Sequence, residues 1–270
     1  MCDINGCGNG VPTRPQITQE QRRLFLKGLA TLPLAAVLTD VELVKAAGHR
    51  GQMQSITTAQ GDTVTAFVSA AENPGAPVVV LIHEWWGLND HIKSMAEEFS
   101  QHGFTAVAVD LFGGSVAATP KEAMAQIQAL DADKANQNLA AWLDWGRANG
   151  NGKVATLGWC FGGGYSLQAA ANAAPDAAVV YYGAMNLSAS QLAQLNTPVL
   201  GHFGTLDARI NAQMVGDFKA ELAAVGKANL LTEHWYTADH AFANPTGGRY
   251  DQDDAQLALH RSLTFLHQHL

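Results

Sequence analysis

The sequence predicts an α/β fold, a mostly parallel central sheet with an antiparallel N-terminal edge and helices on both faces. Three observations lead there. From Pro77 to Tyr236, short apolar runs alternate with segments of helix-forming composition, the pattern of parallel strands joined by crossover helices. The central runs, such as P-V-V-V-L-I-H at 77–83, are too dense in valine to face water on one side. Only at the start do two β-branched runs lie close enough to pair as a hairpin.

The chain has 270 residues, 47% hydrophobic and 15% charged, enough for one large core without internal repeats. Its net charge of −8 argues against a nucleic-acid partner. Residues 1–46 read as a leader. Gln21-Arg22-Arg23-Leu24-Phe25-Leu26-Lys27 followed by an uncharged run from Gly28 to Leu38 resembles a twin-arginine export signal, with cleavage expected near Ala46. That run falls well short of the roughly 20 residues that span a bilayer, so no stable membrane anchor is expected. The implied partner is the twin-arginine translocation machinery, and the implied location is the periplasm or another exported compartment. Cys2 and Cys7 would leave with the leader, making Cys160 the only mature cysteine. One domain, 47–270, remains.

In chain order, Gln52 to Thr58 and Thr63 to Ser69 form the hairpin around Ala59-Gln60-Gly61-Asp62. Pro77 to His83 is a central strand, 90–101 a helix and Phe104 to Asp110 the next strand. Polar, alanine-rich helices are expected around Lys121 to Leu130 and Lys134 to Arg147. Lys153 begins a strand that ends in Gly158-Trp159-Cys160-Phe161-Gly162, and a helix should follow from Tyr165 to Ala174. Ala177 to Tyr182 is a strand, Leu187 to Leu195 a short helix and Pro198 to Phe203 a strand running to Asp207. A helix over Ile210 to Val225, a strand over Asn229 to Tyr236 and a closing helix over Asp253 to His269 complete the chain.

The turn at Cys160 has the glycine spacing of a nucleophile elbow, in which a strained strand-to-helix turn lifts one side chain off the sheet. A thiol ionises more readily than a hydroxyl, and the first turn of a helix favours negative charge. A buried cysteine in a glycine-rich turn is the competing reading. What favours a nucleophile is order: an acid, Asp207, and then a histidine, His240, each follow a strand. The fold that fits is the α/β-hydrolase architecture.

Cys160 in G-W-C-F-G-G, Asp207 in F-G-T-L-D, His240 in D-H-A-F-A-N and Glu84 in H-E-W-W-G-L-N resemble the motifs of the dienelactone hydrolase family, over roughly Met53 to the C-terminus. The resemblance implies a Cys-His-Asp triad that cleaves an ester or lactone through a thioester, with no cofactor. It also implies that Glu84 pairs with the resting nucleophile, and a carboxylate there would keep the thiol neutral. Backbone N–H groups of Trp85 and Phe161 would hold the oxyanion. Trp86, Asn244 and Arg249 are candidate substrate contacts. Well-known family members carry an arginine where this chain has Asn244, which shifts the expectation from a carboxylate-bearing substrate towards a neutral small-molecule ester or lactone. Arg209 and Arg249 could supply a cation instead.

His202 reads as a core histidine, and His83 and His91 lack ligand-like spacing, so no metal is expected. His260, His267 and His269 should face solvent. A non-catalytic binding protein on the same fold is the alternative function. A thiol redox role is disfavoured because the mature chain has no C-x-x-C pair.

Overall fold

The computed structural model describes residues 51–270 together with Gln21. The arginine pair, the apolar run after it and the cleavage point near Ala46 lie outside the described residues. The elements are β1 (Gln52–Thr57), β2 (Thr63–Ser69), β3 (Val78–Ile82), α1 (Asp90–Gln101), β4 (Thr105–Val109), α2 (Pro120–Ala129), α3 (Ala132–Asn149) and β5 (Val154–Trp159). Then come α4 (Phe161–Asn172), β6 (Ala177–Tyr181), α5 (Ala189–Gln194), β7 (Val199–Gly204), α6 (Ala212–Ala224), β8 (Leu231–Tyr236) and α7 (Gln252–His269).

The strands form one sheet in the order β1-β2-β4-β3-β5-β6-β7-β8. β1 pairs with β2, and β2 with β4, antiparallel; the other pairs are parallel. That is the predicted architecture. β3 and β5 are buried at every residue, as their valine-rich composition requires of strands covered on both faces. On one face, Ile92, Met95 and Phe99 of α1 and Phe265 and Leu266 of α7 pack on Val79, Leu81 and Leu157. On the other, Leu139 and Trp142 of α3 meet Val78 and Val80, while Leu167 of α4 and Phe218 of α6 meet Val180 and Val199.

Capping sets several helix starts. Asn89 accepts from the Ile92 N–H, Thr119 forms a capping box with Glu122, and Asp131 accepts from the Asp133 and Lys134 N–H groups. The one substantial boundary correction is α4. Glycine's poor helix propensity suggests a start at Tyr165, yet the helix begins at Phe161 and contains Gly162, Gly163 and Gly164. Close packing overrides propensity here, because a Cβ on Gly162 would lie 2.2 Å from the Ile82 carbonyl oxygen. As a result the first turn of α4 abuts the end of β3, and the segments after β3, β5, β7 and β8 converge at one edge of the sheet.

Candidate active site

Cys160 sits between β5 and α4 with φ 53° and ψ −113°, in the left-handed region that costs a non-glycine residue roughly 1–3 kcal/mol. Its N–H is held by the Tyr181 carbonyl at 2.9 Å. The turn closes only because position 158 lacks a Cβ, which would fall 2.0 Å from the Gly162 oxygen. Among the described residues four non-glycines have positive φ, and three of them, Cys160, Tyr182 and Ala241, belong to this site. Strain is concentrated where the chain leaves the sheet.

Cys160 Sγ lies 3.0 Å from His240 Nε2, and His240 Nδ1 lies 2.7 Å from Asp207 Oδ2. The carboxylate fixes the tautomer, with Nδ1–H donating to it and Nε2 facing the sulfur. Asp207 Oδ1 accepts from the Arg209 N–H at 2.8 Å and the Ile210 N–H at 3.0 Å. Burial opposes ionisation of Asp207, but the bonds from His240 and these two amides carry it below the usual aspartate value. Burial likewise opposes the charged form of His240, and is outweighed by its bonds to Asp207 and Cys160, which push it up to about 10.

Glu84 is buried beside this chain of bonds. Its Oε2 accepts from Asn244 Nδ2 at 2.5 Å, while Oε1 has no hydrogen-bond partner. Burial raises it to about 7, with the charge of His240 and the Asn244 bond pulling the other way. The contact between Glu84 and Cys160 implied by the resemblance is not among the hydrogen bonds of the described residues; the sulfur faces His240.

Trp85, Trp86, Phe161, Asn244, Arg209 and Arg249 all line one cavity of about 390 Å³ with Cys160, Glu84 and His240. Their availability differs. Asn244 spends Nδ2 on Glu84 and Oδ1 on the N–H and hydroxyl of Thr246. Arg249 Nε is 3.1 Å from Asp239 Oδ2. Arg209 is exposed at the mouth. The Trp85 loop is tied down from outside, since Gln126 Nε2 donates to the Trp85 carbonyl at 3.2 Å and the Ala117 N–H to that of Trp86 at 2.9 Å.

Sequence reasoning missed several contributors. Met124 and Ile127 of α2 pack with the tryptophans in the apolar wall of the cavity, and Tyr182 stands beside the His240 ring at 5.2 Å. His83 is buried and accepts from the Leu111 N–H at Nε2, leaving Nδ1–H to donate to the Glu84 carbonyl at 2.6 Å. Nothing in local composition marks these roles. His202 is the expected core histidine, bonded to Tyr236 and Ser262. His260 and His267 are exposed as anticipated, whereas His269 is half-buried with its ring 4.5 Å from that of Phe265. A larger groove of about 670 Å³, between β2 and α3, is lined by neither a cysteine nor a histidine.

The chain matches the model of the dienelactone hydrolase family over residues 64–270. It is 29% identical over 228 residues to a carboxymethylenebutenolidase of Pseudomonas putida, covering 78% of this chain and 94% of that protein. To carboxymethylenebutenolidase 1 of Cupriavidus pinatubonensis it is 26% identical over 223 residues, with the same coverages. Among solved structures, a dienelactone hydrolase-like promiscuous phosphotriesterase from metagenomic libraries superposes with a TM-score of 0.72 at 23% identity, over 82% of this chain and 99% of that one. That last likeness bears on the fold alone.

Proposed function

The chain belongs to the dienelactone hydrolase family, and from that premise we propose that it hydrolyses a carboxylic ester or lactone through a thioester on Cys160. The observation that carries this reading is the continuous chain of contacts from sulfur to imidazole to carboxylate, at 3.0 and 2.7 Å. The names of the relatives, carboxymethylenebutenolidases, support the same reaction class.

Sulfur attacks the carbonyl carbon while the proton it shares with His240 rests on Nε2, where the bonds to Asp207 and Cys160 hold it. The oxyanion forms against the backbone N–H groups of Phe161, in the first turn of α4, and of Trp85. When the tetrahedral adduct collapses, the C–O bond breaks and His240 returns the proton to the departing alkoxide. Water, deprotonated by His240, then attacks the thioester, and acid and thiol are regenerated. Throughout, Asp207 keeps Nδ1 a donor and stabilises the imidazolium. Asn244 is occupied by Glu84 and Thr246 and lacks a positive charge, which favours a neutral substrate over a carboxylate-bearing one.

The test is a panel of aryl esters, lactones and dienelactone with the purified protein lacking residues 1–46. Cys160→Ala should abolish turnover with its melting temperature preserved, since a small residue fits the turn; near wild-type hydrolysis by that variant would overturn the assignment. Cys160→Ser should fold and be strongly impaired. We also propose export by the twin-arginine route, on the strength of Arg22-Arg23 and the apolar run after them. Arg22→Lys with Arg23→Lys should strand the precursor in the cytoplasm, and a cleaved periplasmic product from that double variant would rule the route out.

A further inference from the structure

Two cavities, not one, open on the Cys160 sulfur. The first is the 390 Å³ cavity already described, walled by Trp85, Trp86, Met124 and Ile127. The second, about 540 Å³, runs past Tyr165 and Gln168 of α4 to Asn186 and Met214. They share Cys160, Phe161, His240 and Arg209, so the junction between them is the reacting centre itself. The walls differ in chemistry. The first lobe is aromatic and aliphatic apart from Glu84, Asn244, Thr246 and Arg249, which bond to one another or to Asp239, while the second presents an amide on Gln168, another on the exposed Asn186 and the Tyr165 hydroxyl.

Resting on the hydrolase reading, we propose that this site takes an open-chain ester whose two halves occupy separate lobes, a planar apolar half in the first and a polar, hydrogen-bonding half in the second. A lactone holds its acyl and alkoxy parts on one ring and one skeleton, so a single lobe accommodates it before and after opening. An open-chain ester diverges on either side of the carbonyl carbon. When sulfur bonds to that carbon and the C–O bond breaks, the alkoxide takes its proton from His240 and leaves through its own lobe, while the acyl half stays attached in the other until water releases it. Arg209 overhangs both paths and is exposed, so it screens partial negative charge at the carbonyl entrance without selecting either half.

The experiment compares kcat/KM for the diethylene glycol monoester of phenylacetic acid and its mirror, the benzyl ester of hydroxyethoxyacetic acid, with methyl phenylacetate, benzyl acetate, diethylene glycol monoacetate, the methyl ester of hydroxyethoxyacetic acid and the ring lactone isochromanone. The better two-sided ester should exceed both of its own truncated forms, and the lactone, by about tenfold or more, since each filled lobe contributes at least the discrimination of a methylene or two. Ile127→Trp should collapse the gain from the aromatic half only, and Asn186→Trp the gain from the glycol half only. If Ile127→Trp does not fold, Met124→Trp narrows the same wall. A gain from only one half, both variants acting on the same half, or isochromanone outrunning both two-sided esters would overturn the two-lobed assignment while leaving a hydrolase. Inertness towards every ester and lactone would overturn the hydrolase reading, and this proposal with it.

Discussion

Asp207 and Glu84 approach the same histidine, are almost equally shut off from water at 3% and 4% exposure, and are pushed in opposite directions. Asp207 receives three hydrogen bonds, from His240 and from two backbone amides, and is held below the ordinary aspartate range. Glu84 receives one side-chain bond, from Asn244, leaves Oε1 unpartnered and rises to about 7. Burial opposes ionisation of both acids; at Asp207 the donors outweigh it, and at Glu84 they do not. Two carboxyl groups with separated titrations around one imidazole give the site a permanent anion and a titrating one.

The sharpest way to break that comparison is Asp207→Asn. The amide is of similar size, but it removes the anion and can present an N–H where His240 Nδ1 now donates, which would turn the wrong tautomer towards Cys160. In the serine triad the equivalent change costs roughly 10⁴-fold in kcat, and we expect roughly 10³- to 10⁴-fold here with KM little changed. Steady-state kinetics on an aryl ester reads it. Activity within tenfold of wild type would mean that Asp207 does not orient the imidazole.

Glu84→Gln should act mainly on stability, and its sign follows from the direction of the shift. Folding raises the glutamate from 4.5 to about 7, so the native state holds a proton that the unfolded chain has released. Stability is therefore lost as pH rises from about 4.5 to about 7, and stays lost above that. Any fixed penalty of the new amide cancels when two pH values are compared. Urea unfolding at pH 8 relative to pH 4.5 should favour the variant over wild type by roughly 3 kcal/mol, an upper figure from the rise from 4.5 to about 7. A difference independent of pH would show that Glu84 ionises freely when folded.

Much of this was legible in the sequence, and the physical reason is locality. Val78 to Ile82 and Val154 to Trp159 announce buried strands by composition, and Cys160, Asp207 and His240 each lie within a few residues of a strand end. What stayed hidden depends on how distant segments meet. Met124 and Ile127 look like ordinary apolar positions of an amphipathic helix until α2 is laid over the tryptophans. The start of α4 was obscured because three glycines disfavour a helix, and only the approach of Gly162 to Ile82 explains them. Arg249 reads as a free cation in sequence, yet the path of its loop brings it onto Asp239. Likewise, the pairing of Asn244 with Glu84 spans 160 residues and no spacing rule reports it.

That pairing supplies the finest test of the contrast between the two acids. If donors set how far burial carries each acid, then removing the single side-chain donor to Glu84 should widen the gap further. Asn244→Leu keeps approximate size and removes Nδ2, and burial should then push Glu84 above its value of about 7. One net hydrogen bond is worth about 1 kcal/mol, which corresponds to an upward move of about 0.7 pH units. Carbon-13 labelling of glutamate side chains, followed by NMR across pH 4 to 9, would read the midpoint directly, with Glu84→Gln identifying the signal. The Thr246 N–H and hydroxyl lose their acceptor in the same variant, so its melting temperature will fall; the titration midpoint is independent of that loss. A midpoint that stays or moves down would mean that Asn244 restrains the loop and leaves the charge of Glu84 untouched. The contrast with Asp207 would then rest on the backbone amides and His240 alone.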